Sequence, residues 1–134
     1  MKGCDNLSNG NLYNYVDVYT KAANASWKRL EIINNNLSNV STPNFKRQDV
    51  EFESYLSQEL NRRGTLDEKI KSVNLNNLDY TIYKDRADLS YKTDGNNVDV
   101  DTETTYQAEA QIRYNAFIDS ITAEFSRIRT VLNK

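Results

Sequence analysis

The sequence predicts a mainly α chain in which two long terminal helices form a coiled-coil-like bundle, with a short helix and a small β-hairpin between them. Three features predict this. Leu12, Val16, Tyr19, Ala23, Ser26, Leu30, Ile33, Leu37 and Val40 alternate spacings of four and three without a break, a heptad seam with a period of about 3.5 residues. Ala110, Tyr114, Phe117, Ile121, Phe125, Ile128 and Leu132 make a second seam, with a period of about 3.67 residues. Between the seams stand the sole proline, Pro43, and a polar stretch with no sustained helical period.

The first helix is expected over residues 11–40. At ~1.5 Å per residue it would be roughly 40–45 Å long, more than a small globule needs. Ala23 and Ser26 thin the middle of its seam and would let a neighbouring helix come close. Pro43 disfavours helical geometry at Thr42, so the helix must close at or just before that residue. Pro43 suits position i+1 of a β-turn, and Asn44 then occupies i+2, with positive φ if the turn is type II. Phe52, Leu56 and Leu60 recur at i, i+4 and i+8, which predicts a short helix within 48–63 that Gly64 can end. Residues 78–83 alternate and predict a strand, with Leu89-Ser90-Tyr91 as its partner after a polar turn at 85–88. Asp94-Gly95-Asn96-Asn97 is a turn signal, and Asp99 or Asp101 is the expected N-cap of a last helix over 101–133. That helix should run nearly straight, because its period exceeds the heptad value. The two seams therefore suit a locally adapted pairing inside a larger bundle better than one continuous zipper. The expected organisation is a single discontinuous domain over 1–134, in which 11–40 and 101–133 pack together and 41–100 intervenes.

The 134 residues are one domain's worth of chain, yet 38% are hydrophobic even with tyrosine counted, 27% are charged and the mean hydropathy is -0.78. With 1 proline and 4 glycines the chain is no flexible linker. Extended helices whose apolar stripes need partners fit this composition, with order completed by assembly. A net charge of -2 and a pI near 5.2 leave no electrostatic footprint for nucleic acid or anionic lipid. Lys46-Arg47 and Arg62-Arg63 are too short to change that and read as solvated faces. No apolar run approaches the ~20 residues of a membrane-spanning helix, so direct membrane insertion is not expected. The N-terminus lacks the basic region and apolar core of a secretory signal, and Gly3-Cys4 reads as an exposed free thiol. Any export should use a route with no cleaved signal.

Histidine is absent, which removes the commonest general base and the commonest transition-metal ligand; with 1 cysteine a zinc site is not expected. Asp94, Asp99, Asp101 and Glu103 form an acidic cluster, but no register supplies both the glycine and the glutamate of an EF-hand loop. Capping and solvation account for the cluster instead. No phosphate loop or nucleophile motif accompanies a carboxylate pair, so no enzyme, cofactor or small-molecule substrate is expected. The Asn-x-Ser matches at Asn6, Asn24, Asn36 and Asn39 are what an asparagine-rich chain produces by chance, and the last three fall in or at the end of the first helix. The 9 tyrosines suit half-wet contacts between subunits, and Trp27 stands beside the seam, where it could face a second neighbour.

Asn35-Asn36-Leu37-Ser38-Asn39 resembles the Asn-Asn-Ile-Ala-Asn of bacterial flagellar axial proteins, and Thr42-Pro43-Asn44-Phe45-Lys46 resembles their Thr-Pro-Gly-Tyr-Lys. Gln48-Asp49-Val50-Glu51-Phe52 is similar to the family's continuation. A second block, Asp94-Gly95-Asn96-Asn97-Val98-Asp99-Val100-Asp101-Thr102-Glu103, resembles the segment that precedes the C-terminal helix in the proximal-rod members. Asn44 stands where the family has glycine and Phe45 where it has tyrosine; asparagine is the next best residue at positive φ. The short chain leaves no room for the extra middle domain of distal-rod or hook proteins. The resemblance implies a non-enzymatic subunit of the basal-body proximal rod, a helical tube that transmits torque and helps form the export channel. It implies export through the flagellar type III apparatus, a place in the cell envelope outside the cytoplasmic membrane, and contacts with copies of itself, other rod proteins and the membrane-ring/rod junction. A helical adaptor or export-chaperone-like binding module is the alternative that would use the same seams.

Overall fold

The computed structural model describes residues 10–61, 63–84, 90 and 92–133. Among these the elements in chain order are α1 (Gly10–Ser38), β1 (Gln48–Glu51), α2 (Glu53–Leu60), α3 (Leu66–Lys71), β2 (Thr81–Lys84) and α4 (Val100–Leu132). The chain is mainly helical, with long first and last helices that pack together and a small two-stranded sheet between them. No described helix is long and apolar enough to cross a membrane.

α1 is the central element because it buries two adjacent stripes. The seam read from the sequence supplies one, through Ala23, Ser26, Leu30 and Ile33. Val18, Ala22, Ala25, Ile32 and Asn36, with Arg29 among them, make a second stripe at the same four–three spacing. Two side-by-side stripes widen the buried face beyond what a two-helix seam needs. The first stripe receives α4: Leu30, Ile33 and Leu37 pack with Ala110. The pairing is antiparallel, since Asn36 meets Glu103, Asn34 meets Gln107 and Trp27 meets Tyr114. The second stripe receives the middle of the chain: Val18, Ala22 and Ala25 enclose Phe52, Ile70 and Leu78, flanked by Leu56, Leu60, Val73 and Leu75. Each such large side chain contributes ~1.5–3 kcal/mol on burial, so this cluster holds residues 52–78 on α1.

The middle segment departs from the sequence expectation in three places. Gln48–Glu51 is a strand, so the short helix starts only at Glu53, keeping Leu56 and Leu60 on its apolar side. α3 was not anticipated; its start is a capping box in which Thr65 Oγ1 accepts from Glu68 N and Glu68 returns a carboxylate to Thr65 N. β2 pairs over a long range that the sequence did not suggest, with β1 antiparallel to it and Val50 opposite Ile82. Val50, buried against α1, offers β2 an apolar neighbour that the local sequence could not reveal. Residues 85–89 and 91, which carried the turn and most of the proposed partner strand, lie outside the described residues. Leu78, read as a strand residue, is instead part of the core just before β2. Buried Glu59 secures the loop between, accepting from Asn77 Nδ2 at 3.0 Å and Asn74 N at 3.3 Å.

α1 ends at Ser38, two residues earlier than the seam through Val40 suggested, and residues 39–44 continue as turns. α4 starts after Asp99, whose carboxylate accepts from Asp101 N and Thr102 Oγ1, so Asp99 is the N-cap.

Candidate assembly site

The two sequence blocks that carried the family resemblance meet in space. Phe45 N donates to Thr42 O at 3.3 Å, which closes a β-turn with Pro43 and Asn44 at its centre, and Asn44 takes φ 59°, the positive φ that a type II turn needs at that position. Asn44 N donates to Asp94 O at 2.9 Å and Asn97 N to Phe45 O at 3.4 Å. Gly95 takes φ 80°, a left-handed conformation that favours glycine, and a Cβ there would displace the Asn44 side-chain amide. The side chain of Asn96, 0% exposed, lies across the end of α1: Nδ2 donates to Asn39 O, Val40 O and Thr42 O at 2.9, 3.1 and 2.9 Å, while Oδ1 accepts from Val98 N at 2.7 Å. Lys92 Nζ adds a cation on Val40 O at 2.8 Å, where the helix dipole favours positive charge. Thus the carbonyls just past α1 are satisfied by a segment more than fifty positions later.

Below this cap lies a buried polar core. Asn36 pairs its amide with the Gln48 backbone, donating to Gln48 O at 2.8 Å and accepting from Gln48 N at 3.0 Å, and donates to Glu103 Oε2 at 3.0 Å. Glu103 Oε1 accepts from Arg47 Nε at 2.6 Å. Arg47 also reaches Asp49 at 3.3 Å, lies over the Tyr106 ring at 5.4 Å and donates its backbone N–H to Asn97 Oδ1 at 2.7 Å. Two sequence readings are corrected here. Glu103 is 0% exposed rather than solvated, and Arg47 is buried rather than part of a solvated face, because each neutralises the other away from water. Asp94, Asp99 and Asp101 do remain exposed turn and capping residues. Among the described residues no group of His, Cys, Asp or Glu could hold a metal ion.

The remaining motif residues surround this corner. Asn35 and Asn39 bond to each other, Thr42 Oγ1 reaches Asn39 Oδ1 at 3.2 Å, Phe45 and Lys46 are half-buried, Pro43 is exposed and Val98 is buried. A second ionic group clasps α1, β1, α2 and α4: Arg29 bonds Asp49 at 3.1 Å, Glu53 at 2.5 Å and the Val50 carbonyl, and Arg113 bonds Glu53 at 2.6 Å. Burial alone would raise the Glu53 carboxyl, but the Arg29 hydrogen bond and the charges of Arg29 and Arg113 outweigh it and hold that carboxyl below its usual range. Arg29, Arg47 and Glu53 were missed in the sequence; Arg29 alone had a signal, its four–three spacing with the second α1 stripe.

The residues read as subunit packing positions divide into two sets. Ala23, Leu30, Ile33 and Ala110 are covered within the chain, and Val16, Tyr19, Leu37, Tyr114, Phe117, Ile121 and Ile128 are half-buried. The side chain of Leu12 lies outside the described part. Phe125 and Leu132, joined by Val131, stand uncovered at the far end of α4, Val131 being 74% and Leu132 76% exposed. Trp27, 59% exposed, stacks its ring 5.6 Å from that of Tyr114 and flanks an open groove of about 700 Å³ between α1 and α4, floored by Leu30 and Ala108.

A sequence profile of the family described as flagella basal body rod protein matches residues 17–46, the span from mid-α1 through the Pro43 turn. The flagellar basal body rod protein FlgB of Bacillus subtilis (strain 168) is 38% identical over 104 residues, covering 76% of this chain and 80% of the relative. FlgB of Borrelia hermsii is 36% identical over 114 residues, 78% of this chain and 84% of the relative, and FlgB of Borreliella burgdorferi is 30% identical over the same shares. Such rod proteins are structural flagellar components and not enzymes. With its two motif blocks joined at one corner and relatives matched over most of its length, this chain belongs to the FlgB family of flagellar basal body rod proteins.

Proposed function

We propose that the chain is built into the proximal rod as one of many subunits of a helical tube, contacting copies of itself and other rod proteins through the uncovered faces of α1 and α4. The observation that carries this is the exposure of Phe125, Val131 and Leu132 at the far end of a helix whose other half is anchored at the Arg47–Glu103 corner. A rigid corner with an apolar far end suits a subunit that must pass torque to its neighbours, since force enters through side-chain packing and is resisted by buried bonds. In this reading α1 and α4 line the wall of the export channel, the chain reaches its place through the flagellar type III apparatus without a cleaved signal, and its lower neighbours are the membrane-ring/rod junction.

The test is fractionation of cells carrying a tagged copy as the sole source of the protein. The tag should copurify with basal bodies and localise by electron microscopy to the rod near the membrane ring. Recovery in a soluble one-to-one complex, with none in basal bodies, would favour the adaptor reading and overturn this one.

A further inference from the structure

We infer that the buried trio Asn36, Arg47 and Glu103 sets the register of the α1–α4 pair, so that it acts as a positional lock more than as a source of stability. The apolar pattern leaves register open. Sliding α4 by four residues keeps the seam apolar, bringing Tyr114, Ile121 and Leu132 to where Ala110, Phe117 and Ile128 now stand, with Tyr114 then against Leu30, Ile33 and Leu37. Such a slip moves α4 by ~6 Å along the axis. Apolar packing resists that change only through the bulk of Tyr114 at the Ala110 position, whereas a carboxylate held 2.6 Å from Arg47 Nε and 3.0 Å from Asn36 Nδ2 loses both partners. In the slipped state Glu103 would be buried without its cation, or Arg47 without its anion, the arrangement low-dielectric interiors penalise most. Arg47 is itself fixed, since its backbone N bonds Asn97 and the next residue is pinned to Asn36. Register in turn fixes how far the exposed end of α4 stands from Trp27, and therefore the spacing of the two uncovered surfaces.

The experiment uses the full chain at low concentration, with Cys4→Ser and spin labels on cysteines placed at exposed Glu31 and Thr122, sites offset along the pair. Electron–electron distance measurement should give one narrow distribution for the parent. The variant Asn36→Leu/Arg47→Met/Glu103→Leu should keep its helical circular dichroism while the distribution splits, with a new population displaced by about 6 Å. A single distribution at the parent distance would overturn the proposal. If the variant loses its helix signal, Glu103→Leu/Gln107→Glu decides: moving the carboxylate one turn along α4 should shift the distance as one population, and an unchanged distance would show that the trio follows the register instead of setting it.

Discussion

Replacing Asn96 by aspartate changes one heavy atom and should be among the most damaging substitutions in the chain. The amide is fully buried, its two N–H groups serve Asn39 O, Val40 O and Thr42 O, and its oxygen accepts from Val98 N. The three carbonyls are not orphaned by its loss, because Thr42 N, Lys92 Nζ and Phe45 N each still reach one of them. In Asn96→Ala the cost is therefore the bonds donated by the two N–H groups, about 0.5–1.5 kcal/mol for each group, plus an unsatisfied Val98 N–H at about 1–3 kcal/mol, together about 2–6 kcal/mol. Asn96→Asp keeps the acceptor for Val98 but turns a carboxylate toward three carbonyl oxygens in a site without water, so its loss should reach about 3 kcal/mol or more. With a urea m-value of about 1–3 kcal/mol/M, the midpoint should fall by about 1–3 M, read by circular dichroism at 222 nm on the full chain. A midpoint for Asn96→Asp within about 0.3 M of the parent would refute the assignment of the Asn96 side chain as the clasp across the end of α1.

Asn44→Gly should be tolerated and Asn44→Val should lose about 1–3 kcal/mol, because only the second is strained at φ 59°; equal midpoints for the two would show that the left-handed conformation is not required. Ile33→Asp should abolish swimming when it is the sole copy, since Ile33 is 1% exposed between α1 and α4 and a charge there costs several kcal/mol; normal swimming contradicts the packing described. The Tyr15 phenol donates to Asp67 and is pushed up from 10.0 to about 12, first by that hydrogen bond, then by burial and the Asp67 charge. Because the folded value is the higher one, this bond stabilises the fold fully below pH 10 and is lost as pH rises through about 12. Tyr15→Phe should flatten the fall in stability across that window, and an unchanged slope would count against the bond.

What was legible in the sequence was periodic or positional. The α1 seam, the α4 seam, a cap at Asp99 or Asp101 and, for a type II turn, the conformation of Asn44 each follow from local spacing or from the neighbour of a proline. The second α1 stripe was as regular, Val18, Ala22, Ala25, Arg29, Ile32 and Asn36, but two of its members are polar and two are alanine, so hydropathy hides it. Burial of Arg29 and Asn36 is possible only because β1 and α2 bring Asp49, Glu53 and the Gln48 backbone to them. The same holds for Glu103, whose partner Arg47 is 56 positions away and gives no local sign. β1–β2 pairing is likewise long-range, and a short alternating stretch favours the nearest turn when read alone. The packing positions on the distal half of α4 were visible by period; that Ala23, Leu30, Ile33 and Ala110 serve the chain's own core became visible only from the fold.

The central claim, that the uncovered end of α4 is buried between subunits of the rod, is tested most directly by solvent accessibility at Val131. Val131→Cys in a Cys4→Ser background should react readily with a polar maleimide in the dilute chain, where Val131 is 74% exposed. In basal bodies purified from a motile strain with the same substitution, the reaction should be slowed at least tenfold. Equal labelling in the two preparations would contradict the account.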